Sequence, residues 1–318
     1  MKFYKRVFLI ALFSCVFLPT NAQISKNIIA ILNDPNAENL KELDLSNKML
    51  TKLPAEIGRF VNIEKLFLSN NNLQALPIEL SKLTKLKELH LSNNQFLRFP
   101  VEICKLTSLE RLDLQRNKIE SISPSIGNLS KLKKLDLSRN QLVEIPIEIE
   151  RLLKLNELNF FDNKIKVLPV EIGKLVNLKS LNIEKNQIQL LPAEIGSYPS
   201  LAVLNIKDNK IQVIPNEMGK LVNLTHFNFE QNQVKKIPSE IGKLTKLTLL
   251  DGDNNQLRSI PSEIINLVNM KELYLGGNAF TDVPESLFLF LKNLEFAQSQ
   301  EVIKIITTKE KEIKVVIK

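Results

Sequence analysis

The chain has no Trp, two Cys, two His and only nine Gly among its 318 residues. Two cysteines exclude a disulfide-stapled scaffold. Two histidines leave little material for metal ligation or acid–base chemistry. With 44% hydrophobic and 25% charged residues it is not a disordered tail, and the scarcity of Gly excludes a collagen-like chain. Proline, by contrast, is abundant at fourteen residues. Pro outnumbering Gly is unusual in an ordinary domain. Both recur at fixed intervals, so internal repetition is the first property to test.

The first 22 residues stand apart. Lys2, Lys5 and Arg6 precede an apolar run over 7–18, too short for a resident transmembrane helix. Thr20-Asn21-Ala22 supplies a cleavage site before Gln23, so 1–22 reads as a secretory signal peptide. No later window is apolar enough to span a bilayer. Leu12-Phe13-Ser14-Cys15 loosely resembles a bacterial lipid-attachment box. However, Phe13 is atypical there and the apolar run continues past Cys15, so removal of Cys15 with the signal is the favoured reading. Cleavage after Ala22 takes the net charge from +8 to +5 and leaves Cys104 as the sole cysteine. No internal disulfide is then available, and stability has to come from packing.

The body repeats. Leu109-Glu-Arg-Leu112-Asp-Leu114-Gln-Arg-Asn117-Lys-Ile119 matches Leu178-Lys-Ser-Leu181-Asn-Ile183-Glu-Lys-Asn186-Gln-Ile188. The pattern L-x-x-L-x-L-x-x-N-x-L, followed by L/I-P-x-E-I-G-x-L, begins at Leu40 and returns every 23 residues to Met270. Eleven units therefore occupy 40–292. Within each unit L-x-L has period two, so apolar residues point one way and the x residues the other. A single short strand cannot bury its apolar face alone, whereas stacked units form a parallel sheet over a continuous core.

Three columns define the corners. Asn recurs from Asn71 to Asn278, with Lys48 as its exception in unit one, and is expected to bond buried backbone. Pro recurs from Pro54 to Pro284, displaced by one residue at Ser123-Pro124, where a local perturbation is expected. Gly58, Gly127, Gly173, Gly196, Gly219 and Gly242 share a third column in a short helical or 3₁₀ turn. Glu and Lys/Arg three apart in that turn, as in Glu171 and Lys174, are expected to pair. Gly252 interrupts an inward column of Leu, Ile and Phe, and Phe229 one unit earlier is expected to fill the missing volume.

These motifs resemble those of leucine-rich repeat proteins, in particular the exported bacterial kind with 23-residue LPxEIGxL repeats found in spirochaetes. The resemblance covers about four fifths of the chain. It implies an α/β repeat solenoid, an arc with a concave parallel β-sheet and short helical or 3₁₀ turns on the convex side. It also implies protein partners, with host surface or matrix proteins as candidates if the organism is a pathogen. Residues 23–39 read as a helical N-terminal cap and 293–318 as a C-terminal cap in the form of a β-hairpin.

Little here could carry catalysis. His90 and His226 lie six units apart, roughly 29 Å, and cannot share a metal or proton. Cys104 is remote from a suitable His. Asp251-Gly-Asp253-Asn-Asn255 lacks the Gly and Glu of a calcium loop. The expectation is a non-enzyme without metal or cofactor. Binding then falls to the outward strand positions three, five, seven and eight of each unit. Thirteen of those 44 residues are acidic and seven basic, a net −6, which argues against nucleic acid. The candidate contact residues are Phe67, His90, Arg111, Arg116, Lys134, Arg139, Phe161 and Tyr274, chosen because aromatics and Arg dominate interface energy. The alternatives are a lipid-anchored envelope protein and a binder of anionic glycans through convex lysines.

Overall fold

The computed structural model describes residues 37–281 and the backbone of two further strands, at 303–307 and 313–317. The expected signal, most of the N-terminal cap and Cys15 lie outside the described residues. A short 3₁₀ turn, Ala37–Asn39, leads into the first unit.

Eleven three-residue strands, β1 (Glu42–Asp44) to β11 (Glu272–Tyr274), form one parallel sheet in sequence order. Each pairs with the next in a register of one repeat: Glu42 opposite Lys65, Arg111 opposite Lys134, Asp251 opposite Tyr274. The strands are short because only the L-x-L core alternates. The middle residue of every strand is buried and its two neighbours are not. At about 4.8 Å per strand the sheet is roughly 50 Å long.

Behind the sheet each of units one to ten makes a five-residue 3₁₀ turn, for example Val170–Lys174, entered through a Pro at φ −66° and ψ 144°. The Pro column sets the extended dihedral that turns the chain out of the strand. In unit four Ser123 adopts the same conformation, φ −65° and ψ 138°, and the turn Pro124–Asn128 keeps its register. The expected perturbation is therefore not found. Pro124 takes the first helical position, where an N–H is dispensable, and the Ser123 hydroxyl accepts from the Ser125 N–H.

The glycine column allows close approach between turns. A Cβ on Gly173 would lie 2.6 Å from Glu194 Cβ, and one on Gly242 would lie 2.7 Å from Glu263 Cβ. Unit five carries Glu150 in that column instead, and its carboxylate meets Lys174 at 2.6 Å. At Lys174 the convex ion pair thus joins neighbouring turns rather than Glu171 and Lys174 within one. Cys104 occupies the same column, buried, and burial together with the charge of Glu102 pushes its thiol up to about 11.

The core lies between sheet and turns as one continuous stack of Leu, Ile and Phe. The Asn ladder closes it. Asn94 donates to the Leu91 carbonyl of its own unit and the Leu68 carbonyl of the preceding one, both at 3.0 Å, while its oxygen accepts from the Leu73 N–H. Each such amide satisfies buried backbone that no strand partner reaches. Gly252 faces Phe229: an added Cβ would stand 2.7 Å from Cε2 of that ring. The ring, itself packed against Phe227 at 5.1 Å, fills the space.

Beyond the units, β12 (Ile303–Thr307) and β13 (Ile313–Ile317) pair antiparallel, Ile303 opposite Ile317, and β13 comes up against β11.

Candidate functional site

The L-x-L geometry hands the outward positions of every unit to a single face. It brings the candidate residues together in two pairs. Phe67 stacks on His90 of the next strand, ring centres 4.7 Å apart and 17° from parallel. The Arg139 guanidinium lies over the Phe161 ring at 5.4 Å, within cation–π range. These rings are half-buried by their neighbours rather than freely exposed. Tyr274 stands apart, five strands from Phe161 or roughly 24 Å, with its hydroxyl donating to Glu272 at 3.1 Å.

His90 is wedged between carboxylates, Nε2 at 3.6 Å from Glu88 and Nδ1 at 3.8 Å from Asp113. Its buried Nε2 has no hydrogen-bond partner. Burial raises the Asp113 carboxyl, but bonds from His90, the Gln115 N–H and Ser92 outweigh it and hold the group below its usual value.

Arg111 and Lys134 are neighbours in register at the rim of a shallow depression of about 240 Å³. Asp113, Asp136, Glu157, Asn159 and Asn182 complete its wall. The sequence marks position five of the repeat as an Asp/Asn column that offers acceptors and amides, and that column supplies four of them; their meeting with Arg111 and Lys134 around one depression was not legible. Asp136 accepts from the Ser138 N–H at 2.8 Å, the Ser138 hydroxyl at 2.6 Å and the Asn159 amide at 3.0 Å. Lys134 meets Glu157 at 2.6 Å.

Toward the last units the face turns acidic. Asp251 is pushed up to about 6 by burial and by the charges of Asp253 and Glu230, against a bond from the Asp253 N–H and the charge of Lys207. The calcium-like segment is occupied by structural bonds. Asn255 serves the buried ladder, and Asp253 accepts from the Gly276 N–H. Among the described residues no group of His, Cys, Asp and Glu could hold a metal ion, and no helix is long and apolar enough to cross a membrane.

A family model for leucine-rich repeat regions matches residues 35–144, 112–214 and 197–314. Among solved structures, a Leptospira interrogans leucine-rich repeat protein shares 31% identity over 81% of this chain and 82% of its own, with a TM-score of 0.50. The ectodomain of the Arabidopsis thaliana receptor kinase GASSHO1/SCHENGEN3, in complex with Casparian strip integrity factor 2, shares 30% identity over 81% of this chain at a TM-score of 0.62. The chain spans 35% of that ectodomain. An internalin of Listeria monocytogenes has the same fold at 24% identity, a TM-score of 0.74, and coverage of 85% of this chain and 79% of its own. No curated protein sequence matches.

Proposed function

Because the chain belongs to the leucine-rich repeat family, we propose that it is an exported, non-enzymatic scaffold that holds a protein partner on the concave face. The observation that carries this reading is the face itself. Eleven strands display outward side chains that the core does not use, on a rigid sheet. Units two to six form the contact region, with Phe67 and His90 at one end and Arg139 and Phe161 at the other. Tyr274 is a second contact, and the β12–β13 hairpin covers the last strand. The ligand-bound plant ectodomain shows that a related solenoid takes a partner. Aromatic and Arg anchors each cost about 2 kcal/mol or more when truncated at such interfaces.

The test is a pull-down with the chain lacking residues 1–22, against its Phe67→Ala/Arg111→Ala/Phe161→Ala variant. We expect partners captured by the first and lost by the second; equal capture removes units two to six from the interface. Lys82, Lys105, Lys174, Lys220 and Lys243 stand exposed at the same convex corner, which favours anionic glycan binding as the second reading. Heparin binding that survives their replacement eliminates it.

A further inference from the structure

The seven cations of the concave face divide into two classes. All four lysines are engaged by a carboxylate of an adjoining unit: Lys65 with Glu88 at 3.4 Å, Lys134 with Glu157 at 2.6 Å, Lys185 with Asp162 at 3.0 Å and Lys207 with Glu230 at 2.5 Å. The three arginines have no carboxylate within ion-pair distance among the described residues, and all three lie in units four and five. The carboxylates between them, Asp113 and Asp136, are turned to the scaffold and hold backbone N–H groups, Ser138, Asn159 and His90. The formal −6 of the face therefore conceals a local excess of free positive charge.

The backbone adds a second observation. Arg116 and Arg139 sit at φ 53° and 55°, in the left-handed region. Asn47, Asn70 and Asn93 fill the same column in units one to three, and Asn tolerates that conformation better than Arg does. The column goes on as Asp162, Lys185, Asp208, Gln231 and Asn254, so among its described non-Gly residues only units four and five place two cations side by side, about one strand spacing apart. Neither guanidinium returns an ion pair to the scaffold.

On the reading that the concave face is the contact surface, we propose that its partner presents an acidic protein segment whose carboxylates are gripped by Arg111, Arg116 and Arg139. A planar guanidinium matches a carboxylate through two parallel N–H bonds. Phe161, beneath Arg139, offers an apolar contact beside the charges. The flanks exclude a long polyanion. Units two and three balance Lys65 against Glu88, and units six to eight set Glu157, Asp162, Glu184 and Asp208 against Lys185 and Lys207, so a sulfated glycan or nucleic acid finds no cationic track beyond two units. The patch fits a few acidic residues of one segment.

The probe is a fluorescein-labelled twelve-residue peptide with four Glu around a central Phe, titrated into the chain lacking residues 1–22. Its Glu→Gln counterpart and a heparin fragment serve as comparisons. We expect the acidic peptide to bind about tenfold or more tightly than the Gln peptide. Arg111→Gln/Arg116→Asn/Arg139→Asn should lose about that factor, and Lys65→Gln/Lys185→Gln should stay within about threefold. The arginine variant carries Asn where units one to three already have it, so an unchanged thermal transition confirms that it folds. Equal binding of the two peptides overturns the proposal. So does an arginine variant that binds as well as the parent, a lysine variant that loses as much, or heparin outcompeting the peptide for the same arginines. In the pull-down, loss of the partner by Phe67→Ala/Phe161→Ala but not by the arginine variant leaves the concave-face reading standing and removes the acidic segment. Loss by neither removes both.

Discussion

Units four to six and units nine to eleven share one scaffold and carry opposite surfaces. Both have the strand register and the Asn ladder. In the middle units the carboxylates are distributed among N–H groups, amides, a hydroxyl and a lysine, and the concave-face guanidiniums make no ion pair among the described residues. In the last units Glu230, Asp251 and Asp253 face one another, with Lys207 as the nearby cation, and Asp251 is pushed up to about 6. The lesson is that the outward columns vary without disturbing the inward ones. Charge sign belongs to a stretch of units, and the +8 of the whole chain describes neither stretch.

The largest expected effect tests whether the two regions share one interior. Asn140 donates to the Leu114, Leu137 and Ser138 carbonyls and accepts from the Ile119 N–H. Asn255 does the same with Phe229, Gly252, Asp253 and Val234. Each Asn→Ala change strands several buried backbone groups and should cost about 3 kcal/mol. Denaturant unfolding should return nearly equal losses; a difference above about 1 kcal/mol shows that the interiors are not equivalent.

The next effect should appear in the last units alone. Gly252→Leu drives a side chain into the Phe229 ring and should cost about 2 kcal/mol by overpacking. Adding Phe229→Leu frees the volume and should recover most of that loss. A single variant as stable as the parent means that the space was empty and the ring does not compensate.

The interior was readable because a side chain repeated every 23 residues reports a position the fold cannot vary. Leu112, Asn117 and Ile119 announce strand, ladder and core together. The glycine column was readable as a corner, but its cause, contact with the next turn's Glu, needed coordinates. The face was readable only as an inventory. Phe67 looked exposed, because nothing in its own unit shows that His90 will stack on it. Lys134 and Arg111 occupy the same repeat position, and sequence does not show that Glu157 engages one and leaves the other free. Ser123-Pro124 misled because a displaced Pro looks like a displaced turn, whereas dihedral angles set the register.

The smallest expected effect makes the sharpest comparison, because one substitution at one repeat position should have opposite signs in the two regions. Asp251 titrates in the folded chain above its ordinary 3.8, near 6. Its contribution to stability is therefore full below about pH 4 and is lost as pH rises through about 6. Asp251→Asn removes that loss. Asn159, Asn182, Asn205 and Asn228 already accept the N–H two residues on from this column, so the amide needs no new geometry. At pH 7 the variant should be more stable by about 1 kcal/mol, a figure reduced for the group's partial exposure, and the gain should shrink toward zero at pH 4. Asp113 is held below its ordinary value, so its contribution is present above about pH 4 and lost as pH falls through the lower folded value. Asp113→Asn should therefore lower stability at pH 7, the opposite sign to Asp251→Asn. Thermal unfolding of both variants from pH 4 to 7.5 decides the matter. Shifts of the same sign, or an Asp251→Asn gain that does not change with pH, would mean that the two stretches of the face do not differ electrostatically in the way their neighbours imply.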